Sequence, residues 1–170
     1  MKLLIVSDTH GRLENFRIAS DREAPYDMLI HCGDLEGDED TVRMICGCGC
    51  FMVAGNNDFF TSLPGELEFD ILDKRALLTH GHHYYVYMDT AHLYKEALIR
   101  KADIAFFGHT HKPVIREEKG ILLINPGSLS YPRQEGRQPS YITMELEPGK
   151  EPEIELKFLE QDRRQRGIWL

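Results

Sequence analysis

Lys2-Leu3-Leu4-Ile5-Val6-Ser7-Asp8-Thr9-His10-Gly11 decides the fold of this chain. The first five residues form a near-continuous aliphatic run, and the run stops on a polar, glycine-flanked cluster. A strand that is apolar at every position suits a sheet covered on both faces, as parallel sheets are. The same grammar recurs twice. Residues 27–32, around Met28-Leu29-Ile30, end in Gly33-Asp34. Residues 50–54, Cys50-Phe51-Met52-Val53-Ala54, end in Gly55-Asn56-Asn57-Asp58. Between these strands, residues 12–20 read as a helix with Leu13, Phe16 and Ile18 inward, broken at Pro25. Residues 38–46 read as a short helix with Val42 and Ile45 on one face. The first third is therefore β-α-β-α-β, which predicts a parallel sheet and an α/β protein.

The pattern then changes. Residues 66–72 and 75–79 read as a hairpin turning at Asp73-Lys74, its second strand ending in His80-Gly81-His82. Residues 90–101 form a helix with Leu93, Ala97 and Leu98 inward. Residues 104–107 form a strand that delivers Gly108-His109-Thr110-His111. Residues 114–116 and 121–124 flank a Lys119-Gly120 turn, followed by Asn125-Pro126-Gly127-Ser128. Residues 140–146 and 154–159 are late strands. In the last, Ile154, Leu156 and Phe158 alternate with Glu155 and Lys157, so one face is wet. The tail over residues 161–170 has no assignment. No linker or repeat divides the chain, so residues 1–170 are expected to form a single domain.

Composition narrows the function. A chain of 170 residues can bury roughly 70% of the surface its unfolded form exposes. No stretch approaches the ~20 apolar residues of a membrane helix. The N-terminal run carries a positive charge but no small-residue cleavage site, and so reads as a strand and not a signal peptide. The expectation is a cytoplasmic protein without a membrane association. A net charge of −8 argues against an extended nucleic-acid surface, which would be basic, while bound cations could still present positive charge to a phosphate. Of the four cysteines, Cys46, Cys48 and Cys50 lie in Cys46-Gly47-Cys48-Gly49-Cys50. That spacing is not the C-x₂₋₄-C of structural zinc sites, and a cytoplasmic disulfide is disfavoured. They read as reduced thiols in a helix-to-strand turn.

Five strands thus end in polar clusters: Asp8/His10, Asp34, Asn56 with Asn57 and Asp58, His80/His82, and His109/His111. Each alone also reads as a turn former, a helix cap or a satisfied histidine. Five together do not, because ligands of open α/β sheets bind beyond the carboxyl ends of the strands. The donors are oxygen and nitrogen, a mixture that suits Mn²⁺, Fe, Zn²⁺, Co²⁺ or Ni²⁺ better than Ca²⁺ or Mg²⁺ alone. His92, in a helix, reads as a surface or core-edge residue. His31 precedes the site loop with no assigned role.

Asp8-x-His10, Gly33-Asp34, Gly55-Asn56-x-Asp58, His80-Gly81-His82 and Gly108-His109-Thr110-His111, in this order, resemble the calcineurin-like metallophosphoesterases. The short length, Asn125-Pro126-Gly127-Ser128 and Pro132-Arg133 are similar to the small YfcE-type phosphodiesterase branch. The resemblance implies two packed mixed β-sheets flanked by helices, a four-layer sandwich. It implies two divalent metal ions, with Mn²⁺ ranked first and Ni²⁺, Zn²⁺, Fe or Co²⁺ as alternatives. By motif position Asp8, His10 and His111 would hold one ion, Asn56, His80 and His109 the other, and Asp34 would bridge them. The implied activity is hydrolysis of a small phosphodiester by a metal-activated hydroxide. The alternatives are a phosphomonoesterase or nucleotide phosphatase on the same site, and a non-catalytic scaffold like the related retromer subunit. Eroded ligand positions would mark the scaffold, and here all seven stand.

One departure matters. Many members carry Gly-Asn-His-Asp, and the histidine there suits a general acid. Asn57 occupies that position and cannot release a proton, which favours diesters with good leaving groups. Asp58 would then brace the loop. Arg133 could pair with a phosphate oxygen, and His82 stands near the site as a substrate contact or a support. Phe59-Phe60 and Tyr84-Tyr85-Val86-Tyr87 are open to two uses, an interface of a homo-oligomer or a wall of the substrate site.

Overall fold

A computed structural model describes residues 1–160, and residues 161–170, left without assignment above, lie outside the described residues. Two five-stranded mixed sheets stack face to face. The first is built from β1 (Lys2–Val6), β2 (Met28–His31), β3 (Gly49–Met52), β9 (Ser140–Glu145) and β10 (Glu153–Phe158), in the order β10-β9-β1-β2-β3. The second contains β4 (Glu66–Ile71), β5 (Lys74–Thr79), β6 (Ile104–Phe106), β7 (Pro113–Glu118) and β8 (Ile121–Pro126), in the order β4-β5-β6-β8-β7. β1, β2 and β3 run parallel, as do β5, β6 and β8, and the remaining pairs are antiparallel.

The continuous hydrophobicity of β1 follows from its two covered faces. Alternate side chains point to opposite sides of a strand. Leu3 and Ile5 enter the core between the sheets, with Ile30, Ile104, Phe106 and Ile142. Leu4 and Val6 face the other way, onto α1 (Glu14–Glu23) and α2 (Glu39–Cys46) through Leu13, Phe16 and Val42. The outer face of the second sheet presents Leu77, Ala105 and Phe107 to Leu93 and Ala97 of α3 (Ala91–Ile99). The layers are helices, sheet, sheet, helix. Where the sheets meet, Phe51 stacks on Phe69 with ring centroids 3.8 Å apart.

Three expected inward residues face out. Ile18 is 49% exposed, Leu98 56% and Phe158 40%. The α1 face that packs is Phe16, Ala19, Ser20 and Glu23, and residues two apart point to different sides of a helix, which turns Ile18 outward. Leu98 is one position beyond the buried Leu93/Ala97 stripe. Phe158 ends an edge strand whose Ile154 and Leu156 alone reach the core.

Glu23 is a buried carboxylate at the base of this assembly. It accepts hydrogen bonds from Tyr141 Oη at 2.8 Å, from Lys157 Nζ at 3.0 Å and from Lys2 Nζ at 3.2 Å. Burial works to raise its pKa, but the Lys157, Tyr141 and Lys2 contacts prevail and lower it. A carboxyl with a folded pKa below its unfolded value stabilises the fold above that unfolded value, near 4.3, and loses the contribution as pH falls through the folded one. Glu23→Gln is expected to destabilise the protein by about 1–3 kcal/mol near pH 7, the lysines being partly exposed. The difference from the parent should shrink below about pH 4. Urea midpoints measured against pH check both, and a constant difference across the acid range would refute the assignment.

Candidate metal centre

The carboxyl ends of β1, β2, β3, β5 and β6 open onto one crevice. Their loops are tied by backbone hydrogen bonds: Asp8 N–H to Gly33 O at 3.0 Å, His10 N–H to Asp34 O at 2.9 Å and Gly108 N–H to His80 O at 3.1 Å. Asp8, His10, Asp34, His109 and His111 all take left-handed backbone conformations, with φ between 47° and 67°. Such a conformation costs a non-glycine residue about 1 kcal/mol or more and persists only where surrounding contacts over-determine it. Five instances among candidate ligands mark a site assembled at the expense of local backbone preference.

One ligand atom from each of Asp8, His10, Asp34 and His111 lies within 4.8 Å of every other. His111 Nε2 is 3.0 Å from Asp8 Oδ1, His10 Nε2 is 3.4 Å from His111 Nε2, and His10 Nε2 is 3.7 Å from Asp34 Oδ2. The remaining candidates also gather near Asp34. His80 Nε2 is 3.4 Å from Asp34 Oδ2 and 3.1 Å from Asn56 Oδ1, and the His109 ring centroid is 5.2 Å from that of His80.

The far side of each ring sets its orientation. His111 Nδ1 donates to Tyr131 O and His80 Nδ1 to Cys32 O, both at 2.7 Å, and His10 Nδ1 is 2.7 Å from Glu36 Oε1. A carbonyl acceptor fixes the proton on Nδ1, and in the neutral ring Nε2 is then a lone pair aimed into the crevice. Three inward imidazole nitrogens facing two carboxylates form a donor set for a divalent cation. Asp8 Oδ1 is fully buried and, beyond the His111 Nε2 at 3.0 Å, has no hydrogen-bond partner, although buried oxygens are almost always satisfied. A cation in the crevice would satisfy it, so the residues fit a metal.

The electrostatics agree. Burial works to raise the Asp8 and Asp34 pKa values, but the imidazoles of His111 and His80 override it and hold both carboxyls below the usual range. Burial likewise works to lower the His80 pKa, and Asp34 and Asp8 raise it. Carboxylates that retain a proton on a buried imidazole would equally retain a cation.

The other expected site residues fall into place differently. Asn57 spends its side chain on Asp34, donating from Nδ2 to Oδ2 at 2.7 Å and from its backbone N–H to Oδ1 at 2.9 Å. Asp58 accepts from Asp34 N–H at 2.8 Å, Gly55 N–H at 2.7 Å and Glu36 N–H at 2.6 Å, locking two loops together. Arg133 lines a cavity of about 560 Å³ over the crevice, with His10, Asp34, Asn57, His109 and His111. Its backbone N–H donates to His111 O at 3.0 Å. His82 is not among the residues lining that cavity, and its ring is 5.4 Å from His80 and 6.1 Å from His109. Burial and the neighbouring His80 push its pKa down to about 4. His31 is a neutral buried support, pushed down to about 3 by burial, its ring bonded to Thr9 Oγ1 and Gly33 N. His92 is exposed.

Further residues, none assigned a role from the sequence, complete the site, and of these Asn125 and Ser128 stood there only within the Asn125-Pro126-Gly127-Ser128 resemblance. Glu36 and Tyr131 orient His10 and His111. Ser7 Oγ donates to Asp8 Oδ2, Ser128 Oγ to Asp8 O, and Asn125 Nδ2 to Gly108 O. Apart from that motif, the one signal for them was polar residues beside apolar strand ends, since spacing cannot reveal a partner 120 positions away.

Residues 1–149 match the calcineurin-like phosphoesterase superfamily domain. A probable metallophosphoesterase of Bacillus subtilis, YsnB, is 36% identical over 148 residues, covering 86% of this chain and 85% of its own. A phosphodiesterase of Methanocaldococcus jannaschii is 30% identical over 147 residues, 75% of this chain and 83% of that one. The solved structure of Entamoeba histolytica Vps29 in complex with Zn²⁺ superimposes with a TM-score of 0.76 at 18% identity, over 93% of this chain and 99% of that one, a likeness of fold alone. Two stacked mixed sheets, an Asp/His crevice at their strand ends and relatives that span most of its length place this chain in the calcineurin-like phosphoesterase superfamily.

Proposed function

We propose that this protein is a binuclear metal-dependent phosphodiesterase acting on a small phosphodiester. The observation that supports it is the crevice itself, where Asp8, His10, Asp34 and His111 cluster beneath a cavity lined by Arg133 and Arg137. Asp8, His10 and His111 would hold one divalent cation and Asn56, His80 and His109 a second, with Asp34 between them. Mn²⁺ is the first choice, with Ni²⁺, Zn²⁺, Fe or Co²⁺ as alternatives. Bound cations of this kind supply a water of lowered pKa and neutralise charge on the phosphoryl oxygens.

The chain's own residues do the rest. Asn57, bonded to both oxygens of Asp34, fixes that carboxylate in place. Glu36, Tyr131 O and Cys32 O hold His10, His111 and His80 in orientation. The Arg133 guanidinium offers paired donors to a non-reacting phosphoryl oxygen, and its backbone bond to His111 ties it to the metal loop. Asn57 has no proton to give a departing alkoxide, so leaving groups that depart as stable anions are favoured. This supports a diester over a monoester.

The test is hydrolysis of bis(p-nitrophenyl) phosphate and p-nitrophenyl phosphate by protein loaded with Mn²⁺, before and after chelation. The diester is expected to react at least ~10-fold faster in kcat/KM, with activity lost on chelation. A faster monoester would favour the phosphatase alternative, and no hydrolysis with any of the named metals would favour a scaffold. Arg133→Ala is expected to raise KM for the diester roughly tenfold with a smaller change in kcat, the loss of one charged hydrogen-bond pair. An unchanged KM would remove Arg133 from substrate binding.

A further inference from the structure

The Cys46-Gly47-Cys48-Gly49-Cys50 stretch takes no part in the metal centre. Gly47 ends α2 in the left-handed conformation at φ 61°, its N–H donating to Arg43 O, and the chain doubles back at once into β3, where Cys50 pairs with Leu29 of β2. The reversal brings Cys46 Sγ to 2.7 Å from Cys50 Sγ. Carbon atoms in van der Waals contact rest roughly 3.5–4 Å apart, and a disulfide bond is about 2.05 Å long. Both thiols, and that of Cys48, are half-buried on the outer face of the first sheet, whereas Cys32 is fully buried.

We propose that Cys46 and Cys50 are a reversible oxidation site that closes to an intrachain disulfide across the α2–β3 turn. The oxidant is a small disulfide of the glutathione class. One protein thiol gives up its proton, attacks a sulfur of the oxidant and breaks its S–S bond, forming a mixed disulfide and releasing one thiol. The second protein thiol gives up its proton and attacks the mixed disulfide, forming the Cys46–Cys50 bond and releasing the other thiol. The protein loses two electrons and two protons, and the oxidant gains both. Burial and the neighbouring thiols push Cys48 up to about 11 and Cys50 higher still. Cys50 therefore gains little from a stabilised thiolate, the feature that makes other dithiols strong oxidants once oxidised. Intracellular disulfides, where they occur, are commonly of this transient kind.

Trypsin cleaves after Arg43 and Lys74 and leaves Cys46, Cys48 and Cys50 on one peptide, so the test uses the full-length Cys48→Ser protein, with Cys48→Ala as a second background. Native protein is treated with glutathione disulfide, acid-quenched, unfolded and alkylated. The peptide is expected to be about 2 Da lighter and to take up no alkyl group. Dithiothreitol should restore both alkylations, with Cys32 alkylated throughout. In the same background, Cys46→Ser and Cys50→Ser should stop at the mixed disulfide. Two alkylated thiols at an oxidant level that glutathionylates the single-thiol variants would overturn the proposal, as would a disulfide between chains.

Discussion

Asp34→Asn is expected to reduce diester hydrolysis on the order of a thousandfold and to lower bound metal toward one ion per chain or less, the loss of a ligand costing more than the 10–100-fold of an outer partner. Asp34 lies between imidazoles assigned to the two ions, with His10 Nε2 at 3.7 Å and His80 Nε2 at 3.4 Å from its Oδ2. Both oxygens also accept from Asn57. An amide of the same shape removes the negative charge and sets an NH₂ group against one of those donors, so geometry cannot compensate. Metal content by elemental analysis and steady-state rates on the aryl diester are the measurements. Activity within tenfold of the parent at full metal content would refute a bridging role and would weaken the two-metal reading.

Gly55→Ala is expected to reduce diester hydrolysis about a hundredfold without altering any ligand. A Cβ at Gly55 would collide with Asp34 Oδ1 and lie 2.6 Å from Asp34 N and 2.8 Å from its Cγ. The Asp34 backbone cannot retreat, because its N–H is held by Asp58 at 2.8 Å. The carboxylate must move instead, and a displacement near 1 Å at a catalytic group costs about a hundredfold. Overpacking adds roughly 1–3 kcal/mol of destabilisation. Gly65→Ala is the control, since its Cβ meets nothing within 4 Å, and it should leave rate and thermal midpoint nearly unchanged. A Gly55→Ala protein with parental activity would show that the Asp34 loop is more compliant than its hydrogen bonds imply.

The sequence alone determined more of this protein than its irregular middle would lead one to expect. The apolar runs at β1, β2 and β6 can be stable only when covered on both faces, and that requirement alone dictates a layered α/β fold. Polar residues following such runs have one place to go, the rim where the strands end, so Asp8, His10, Asp34, His109 and His111 were legible as a group from periodicity and position. Helix faces were less legible. Ile18 and Leu98 are apolar, but short helices bury a narrow stripe, and which residues fall on it depends on the sheet beneath.

Tertiary structure decided what spacing cannot carry. The left-handed backbone of five candidate ligands is imposed by contacts between loops distant in sequence, against local preference. The partners that orient the imidazoles, Glu36, Tyr131 O and Cys32 O, are backbone carbonyls and a loop carboxylate with no motif of their own. The meeting of Cys46 with Cys50 depends on the chain reversing at Gly47 and re-entering the sheet beside β2. In each case the deciding quantity is a distance between groups that become neighbours only once the chain has folded.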